Sequence, residues 1–224
     1  MKSLSAWILL LAPLAGALRA QDPALVSPDH YKVEIENDYV RVLRSTGPGH
    51  ARTPMHSHPP NVVVYLSDAD ARVVGPDGVA KDSHRKRGEA IWNDAQQHER
   101  INLSDRPYEL IQVELKQAHP PIMRVPPALD ATKVTPDRYT VLVENDRVRV
   151  LRARIGPRAK APLHAHPPYV AVALSESHQR LTSESGETRE SKRPAGSLAF
   201  NPALRHAEEN LLDTSIDYIL VELK

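Results

Sequence analysis

Six of the 11 histidines recur in two groups of three, separated by a constant shift of 108 positions. The first group begins with His56 and His58, which lie two positions apart, and His98 completes it. The second group contains His164, His166 and His206. Side chains two apart on a β-strand point to the same side, so each close pair can hold one ion. Each half of the sequence therefore offers three imidazoles for a metal site.

Three histidines without an acidic partner favour a particular chemistry. Neutral imidazole nitrogens suit transition metals, and three protein nitrogens with open remaining positions are typical of a catalytic site. Three neutral ligands leave the double charge of the ion uncompensated, which favours an anionic or chelating ligand and lowers the pKa of bound water. We predict that both groups bind a divalent transition metal, with Fe, Mn, Ni, Cu and Zn as candidates.

The alternative is that these histidines have ordinary structural roles around an empty pocket. Three unpaired imidazoles inside a barrel would carry a burial cost of a few kcal/mol, which metal ligation offsets. Four of the other histidines, by contrast, face arginine, lysine or aspartate in the other half of the sequence. The shared shift therefore favours metal ligation.

Residues 1–20 have the composition of a secretory signal peptide. Lys2 supplies the positive charge at the start, and an apolar core follows over 6–17. That core is shorter than a membrane-spanning helix requires. We expect cleavage after Ala20 and no membrane association afterwards, with an uncleaved anchor as the alternative. Because the chain contains no cysteine, we predict a bacterial periplasmic or secreted protein without disulfides.

The charge balance excludes some partners. The 29 basic and 28 acidic residues nearly cancel, so there is no electrostatic case for binding nucleic acid or an anionic membrane. We expect a small-molecule ligand or substrate as the partner. The oligomeric state is open, with a homo-oligomer as one option.

The whole chain is organised by an internal duplication. Residues 29–116 align with 137–224 without a gap, and the segment between them is rich in proline and is expected to be a semi-rigid connector. The predicted organisation is a signal peptide (1–20), a short leader without assigned function (21–28), a first domain (29–118), a linker (119–136) and a second domain (137–224).

Each copy has the pattern of a β-rich domain. Apolar residues alternate with polar ones or form short β-branched blocks, and turn signals such as 75–78 separate the blocks. We therefore predict an all-β protein of two similar sandwiches or barrels. Their cores are expected to contain Val33, Val42, Val64, Leu66, Ile111 and Val113, with the partners Val141, Val150, Val172, Leu174, Ile219 and Val221.

Each copy also resembles a cupin domain, and the whole chain resembles a bicupin. The first cupin motif, a glycine followed by His-x-His, is matched by Gly49, His56 and His58 and by Gly156, His164 and His166. The second motif, a glycine, a proline and His-x-x-x-Asn, is similar to Gly196, Pro202, His206 and Asn210, and to Gly88, His98 and Asn102. The resemblance implies two tandem jelly-roll β-barrels with metal-binding histidines.

Two departures from the cupin pattern affect the expected chemistry. The glutamate of metal-binding cupins falls on Val62 or Val63 in the first copy and on Val170 or Ala171 in the second, so a fourth protein ligand is missing from both. Asp94 replaces the proline of the second motif in the first copy.

Cupins without this glutamate include three-histidine iron dioxygenases. The resemblance therefore implies a metal-dependent dioxygenase that acts on a small anionic or chelating organic molecule. A non-catalytic cupin that binds a small molecule through its metal is one alternative, and a structural, storage-like cupin is another. The sequence identifies no catalytic residue beyond the ligands.

Two arginines are candidates for substrate binding. Arg44 and Arg152 correspond in the two copies and share a strand face with valines, so they could reach the barrel mouth and hold a carboxylate bidentately. A solvated strand edge or a structural salt bridge is the alternative.

Two further pairs of residues correspond in the copies. Trp92 and Phe200 precede the third histidine of each group and are expected to line the pocket or to pack in the core. Glu114 and Glu222 alternate with apolar neighbours on the last strand of each copy, and we expect them to point outward and pair with basic residues.

Overall fold

The computed structural model of the protein describes residues 21–120 and 124–224, so the predicted signal peptide lies outside the described residues. The first part has a short helix and nine strands. These are α1 (Pro23–Val26), β1 (Tyr31–Glu36), β2 (Val40–Gly47), β3 (Arg52–His58), β4 (Asn61–Tyr65), β5 (Ala69–Val74), β6 (Ala80–Arg85), β7 (Ala90–Asn93), β8 (Gln96–Asn102) and β9 (Tyr108–Leu115).

The second part repeats this order of elements after a 3-10 helix (Pro127–Leu129). Its elements are α2 (Ala131–Val134), β10 (Tyr139–Glu144), β11 (Val148–Ile155), β12 (Lys160–His166), β13 (Tyr169–Ala173), β14 (Ser177–Ser183), β15 (Thr188–Arg193), β16 (Leu198–Asn201), β17 (Leu204–Asn210) and β18 (Ile216–Leu223). No helix in these two described stretches is long and apolar enough to cross a membrane.

The strands of each part form two antiparallel sheets. In the first part a five-stranded sheet has the order β1-β2-β9-β4-β7, and a four-stranded sheet has the order β3-β8-β5-β6. The second part has the same two orders, β10-β11-β18-β13-β16 and β12-β17-β14-β15. Neighbouring strands that are distant in sequence, such as β2 and β9, are typical of a jelly roll. The predicted class, all-β with two tandem jelly-roll barrels, is confirmed. We call β1–β9 the first barrel and β10–β18 the second barrel.

The central strands of each five-stranded sheet are buried on both of their faces. One face looks into its own barrel, and the other packs against the matching sheet of the other barrel, so that one apolar core spans both. This shared core is rich in β-branched residues because they pack well on a pleated surface. It contains Val40, Val42, Val62, Val64, Ile111, Val113 and Leu115 of the first barrel, and Val148, Val150, Val170, Val172, Leu174, Ile219, Val221 and Leu223 of the second.

The residues that we expected in the cores of the two barrels do not fill the barrel interiors. Most of them, such as Val42 and Ile111, lie in the shared core between the barrels, and Leu66 packs against it. Val33 and Val141 are 37% and 43% exposed and belong to no core. The reason is that a strand buried on both faces gives no sequence contrast that identifies the face looking into the barrel.

The repeat unit begins earlier than the sequence alignment indicated. Part of 21–28, which we expected to be a short leader without assigned function, forms α1, and the end of 119–136 forms α2. Asp22 caps α1 by accepting from the Ala24 amide and binds both terminal nitrogens of Arg41 at 2.8 and 2.7 Å. Asp130 caps α2 in the same way and accepts from Arg149 at 2.8 Å. Each helix is thereby tied to the second strand of its barrel.

Candidate metal centres

Strand pairing brings each histidine group together inside its barrel. His56 and His58 lie on β3, and His98 lies on β8 directly opposite His56 in the register. The ring centroids of the three imidazoles are 4.6 to 5.4 Å apart. One nitrogen from each ring lies within 4.8 Å of the others, and all three side chains are buried. The group can therefore surround one ion.

The second barrel repeats this arrangement closely. His164 and His166 lie on β12, and His206 on β17 opposes His164. The ring centroids are 4.5 to 5.6 Å apart, and the ligand nitrogens again lie within 4.8 Å of one another. Within residues 21–120 and 124–224, these two groups are the ones with metal-binding geometry.

Hydrogen bonds set the tautomer of the paired histidines. Nδ1 of His56 lies 2.7 Å from the Pro54 carbonyl oxygen, and Nδ1 of His164 lies 2.8 Å from the carbonyl oxygen of Pro162. A carbonyl oxygen can only accept, so Nδ1 carries the proton and Nε2 keeps its lone pair. The nitrogen directed at the centre of each group is thus ready to bind a metal.

The sequence prediction for the last-strand glutamates was wrong about their direction. Glu114 and Glu222 are only 2% and 1% exposed, and each accepts a 2.7 Å hydrogen bond from Nδ1 of His58 or His166. A carboxylate behind a histidine fixes the ring and makes its other nitrogen a stronger ligand. The apolar residues on either side of each glutamate point away from the barrel interior and belong to the core between the barrels. The expected basic partners are present, because Glu222 binds Arg149 at 2.6 Å and Glu114 lies 3.6 Å from Nη1 of Arg41.

Burial keeps the imidazoles neutral. Desolvation lowers the pKa of His56 to about 4, and desolvation together with the neighbouring imidazoles lowers that of His98 to about 3. In the second barrel the pKa of His164 falls to about 4 and that of His206 to about 2 for the same reasons. Near neutral pH these rings are in the form that binds metals.

Some ring nitrogens have no hydrogen-bond partner among the described residues. These are Nδ1 of His98 and both ring nitrogens of His206. Unsatisfied buried polar atoms are rare in folded proteins and usually indicate an ion or water that completes the site. Together with the neutral imidazoles and fixed tautomers, they fit a divalent transition-metal ion in each barrel.

A tyrosine borders each histidine group, and the sequence analysis assigned it no role. The hydroxyl of Tyr31 lies 3.0 Å from Nε2 of His56, and that of Tyr139 lies 3.2 Å from Nε2 of His164. Burial raises the pKa of both tyrosines, which keeps their hydroxyls protonated. Their recurrence at the shift of 108 was the signal available in the sequence.

The structure resolves which residue takes the position of the missing glutamate. Val63 lines the cavity of the first barrel, whereas Val62 lies in the shared core. In the second barrel Ala171 packs in the interior and Val170 lies in the shared core. The inward positions are therefore apolar in both barrels, and the strand supplies no fourth ligand.

The structure does not bring the predicted substrate-binding arginines to the histidine groups. Arg44 binds Glu34 and Glu109 and donates to the Gly196 carbonyl oxygen of the other barrel. Arg152 binds Asp217 at 2.6 and 3.0 Å. Both arginines lie on the face between the barrels, which agrees with the alternative of a structural salt bridge.

Trp92 and Phe200 also lie at the junction of the barrels. Both pack against the shared core, and Phe200 stacks on Tyr39 with ring centroids 6.2 Å apart. Of their two expected locations, the structure places them in a core and away from the cavities.

Comparisons with known proteins identify the fold. No protein-family model and no curated protein matches the chain. Among solved structures, AerE from Microcystis aeruginosa has a TM-score of 0.61 at 16% identity, covering 87% of this chain and 97% of that one. An oxalate decarboxylase mutant from Bacillus subtilis has a TM-score of 0.54 at 12% identity, covering 86% and 74%. Salicylate 1,2-dioxygenase from Pseudoaminobacter salicylatoxidans with gentisate has a TM-score of 0.54 at 14% identity, covering 83% and 68%. These likenesses show that this chain has the fold of a bicupin, with two tandem cupin barrels.

Proposed function

We propose that each barrel binds a divalent transition metal and that the protein acts on a small anionic or chelating organic molecule, with dioxygenation as the reaction. One observation carries this proposal. Three buried imidazoles converge in each barrel without a carboxylate among them. The charge of the ion is then balanced by what binds to it, which favours an anionic ligand over a neutral one of the same shape.

The metal would supply Lewis acidity and a binding site for substrate and dioxygen. The chain itself fixes the ligand rings through Pro54, Pro162 and the two buried glutamates. Its apolar residues on β4 and β13 leave room for ligands at the open positions. In a dioxygenation both oxygen atoms enter the product, so one O2 is consumed per substrate and no external reductant is needed.

The solved relatives support the substrate class. Two of them are named for reactions of small organic acids, salicylate and oxalate. Their low identity to this chain means that they support the proposal through the fold, and the histidine geometry of this chain carries it.

We also propose that the protein is exported and that its mature form begins near Gln21. The apolar stretch after Lys2 supports this proposal. The Gln21 carbonyl oxygen accepts from the Ser57 amide at 2.9 Å. Cleavage before Gln21 would preserve this contact. Mass spectrometry of the native protein should find this N-terminus, and an intact Met1 on membrane-extracted protein would refute it.

Oxygen uptake tests the proposed reaction. Protein purified without an affinity tag is stripped of metal, reloaded with Fe²⁺, Mn²⁺, Ni²⁺, Cu²⁺ or Zn²⁺ in turn, and assayed with small carboxylic acids and diketones. We expect one metal to support uptake of one O2 per substrate consumed. The double variant His56→Ala and His164→Ala is the control and should take up none.

Two outcomes would contradict dioxygenation. If the loaded protein binds carboxylates but consumes no O2 with any metal, it is a metal-dependent binding module. If neither metals nor carboxylates bind, the structural alternative replaces the proposal.

A further inference from the structure

The two barrels have the same histidines but different cavities around them. In the first barrel one cavity of about 660 Å³ reaches from His98 to the strand ends at Val79. The second barrel has an inner cavity of about 60 Å³ and an outer depression of about 620 Å³. Four residues line both spaces and separate one from the other. These are Leu181, Arg189, Leu204 and His206. Smaller or more polar residues, Val73, Lys81 and Gln96, take the first three positions in the first barrel.

The first cavity contains a buried arginine without an acceptor. Arg100 lies two positions after His98 on β8, so both side chains point into the barrel. Arg100 is 7% exposed, its guanidinium carbon lies 4.0 Å from the centroid of the Tyr108 ring, and its buried Nη1 has no hydrogen-bond partner among the described residues. A buried guanidinium without an acceptor is costly, and a bidentate carboxylate is the ligand that best satisfies it.

The second barrel carries the opposite charge at the same position. Glu208 replaces Arg100, and its carboxylate is fully bonded by the chain. Oε1 accepts from the Tyr139 hydroxyl at 3.0 Å, and Oε2 accepts from Nε2 of Gln179 at 2.9 Å. In the first barrel Ala71 replaces Gln179, so that donor is missing. A protein carboxylate thus occupies the second cavity, whereas the first cavity has a cation that lacks one.

The other charged residues around the first cavity do not cancel Arg100. Arg85 lines the same cavity; its Nη1 lies 3.5 Å from Glu89, and its buried Nε has no acceptor among the described residues. Lys81 adds a further positive charge. Of the two acidic residues that line the cavity, Asp82 is already bound to Arg72 at 2.7 Å, and Asp77 caps its own turn at the outer end by accepting from the Val79 amide.

We propose that the first barrel is the ligand-binding barrel, with Arg100 as the anchor for a ligand carboxylate beside the three histidines, and that the second barrel excludes anionic ligands because Glu208 takes that position. This inference rests on the proposed function, since it assigns the anionic ligand to one of the two sites.

Malonate binding tests the assignment. The full chain is loaded with Co²⁺ and titrated with malonate by calorimetry, while the visible absorption of Co²⁺ reports changes in coordination. We expect one malonate per chain and at least about tenfold weaker binding of the neutral malonamide. Arg100→Gln should weaken malonate binding at least about tenfold, and Arg100→Lys should weaken it less because the charge is kept.

Arg52→Gln is the matched control. Arg52 lies in the same sheet but on its outer face, and its side chain is 68% exposed, so this variant loses the same charge without changing the cavity. Its malonate affinity should stay within about twofold of the wild type. Circular dichroism checks the fold of each variant, and the charge-conserving Arg100→Lys serves if Arg100→Gln is unstable.

The Co²⁺ content of the same samples separates the two proposals. Three results would overturn the assignment of Arg100: two equal malonate sites per chain, an unchanged malonate affinity in Arg100→Gln, or no malonate binding. If the same samples hold two Co²⁺ per chain, the proposed metal sites are still supported. If Co²⁺ does not bind, the proposed function fails. Titration of the metal-free protein then tests Arg100 alone, because the wild type should still bind malonate more tightly than Arg100→Gln.

Discussion

Acidification of the metal-free protein should remove much of its stability over a narrow pH range. Four ligand histidines, His56, His98, His164 and His206, have a pKa of about 4, 3, 4 and 2 in the folded state, against 6.5 for an unperturbed histidine. Below pH 6.5 the unfolded chain gains protons on these residues, whereas the folded protein does not until the pH approaches the lowered values. Protonation therefore favours unfolding as the pH falls.

The expected loss is large compared with the stability of a typical protein. At about pH 5.5 each of the four groups lies one unit below its unfolded pKa and more than one unit above its folded pKa, so each costs about 1.4 kcal/mol. Together they remove about 5 kcal/mol between about pH 7.5 and pH 5.5, against a total of about 5 to 15 kcal/mol. Glu208 opposes this trend, because burial raises its pKa and the folded protein therefore takes up a proton there at a higher pH than the unfolded chain does.

Urea unfolding in the presence of a chelator measures this loss. His98→Gln should reduce the loss by about a quarter, because one of the four groups is removed. His119→Gln, which removes an exposed histidine, should leave it unchanged. Metal-loaded wild-type protein should keep its stability to lower pH, because the ion competes with protons for the same nitrogens. A free energy of unfolding that changes by less than about 1 kcal/mol between the two pH values would refute the reasoning.

Three further predictions concern the groups around the histidines. Glu114→Gln should weaken metal binding in the first barrel about 10- to 100-fold, and competition with a chelating dye that finds two unaltered sites would contradict this. Val63→Glu should strengthen metal retention and weaken malonate binding, whereas Val62→Glu should destabilise the core between the barrels; equal effects on urea unfolding would refute the assignment of faces. Ile111→Ala should lower the free energy of unfolding by about 2 to 5 kcal/mol, while Val33→Ala should change it by about 0.5 kcal/mol or less. A similar loss in both variants would argue against the shared core.

The features that depend on local spacing could be predicted from the sequence. His56 and His58 lie on one strand, so their two-residue spacing already places them on the same side. The duplication then served as an internal control, because His98 and His206 recur with the same shift whereas most other histidines do not. The alternation of apolar and polar residues within each copy, together with the duplication, also made the all-β class with two tandem barrels predictable.

The features that depend on which sheet face looks inward could not be predicted. Val113 and Glu114 are neighbours on β9, and an isolated barrel would place the valine inside and the glutamate outside. Packing of two five-stranded sheets back to back reverses this, so the valine lies between the barrels and the glutamate supports His58. The same reversal places Arg44 between the barrels and not at the predicted barrel mouth. The residue pattern of a single strand does not show that another domain covers the second face of the strand.

One difference in charge between the two copies is visible in the sequence. Arg100 aligns with Glu208 and follows a ligand histidine by two positions, so its direction into the barrel follows from strand geometry. The structure adds that Nη1 of the buried arginine has no acceptor within the described stretches, whereas the glutamate accepts from Tyr139 and Gln179. These contacts depend on cross-strand packing that the sequence does not specify.

Metal stoichiometry tests the central claim most directly. Elemental analysis of tag-free protein equilibrated with Zn²⁺ or Co²⁺ and freed of excess ion should find two ions per chain. His56→Ala and His164→Ala should each retain one, because each removes a ligand from one barrel only, and the double variant should retain none. A wild-type chain that binds no ion, or a double variant that still binds two, would contradict metal ligation by the two histidine groups.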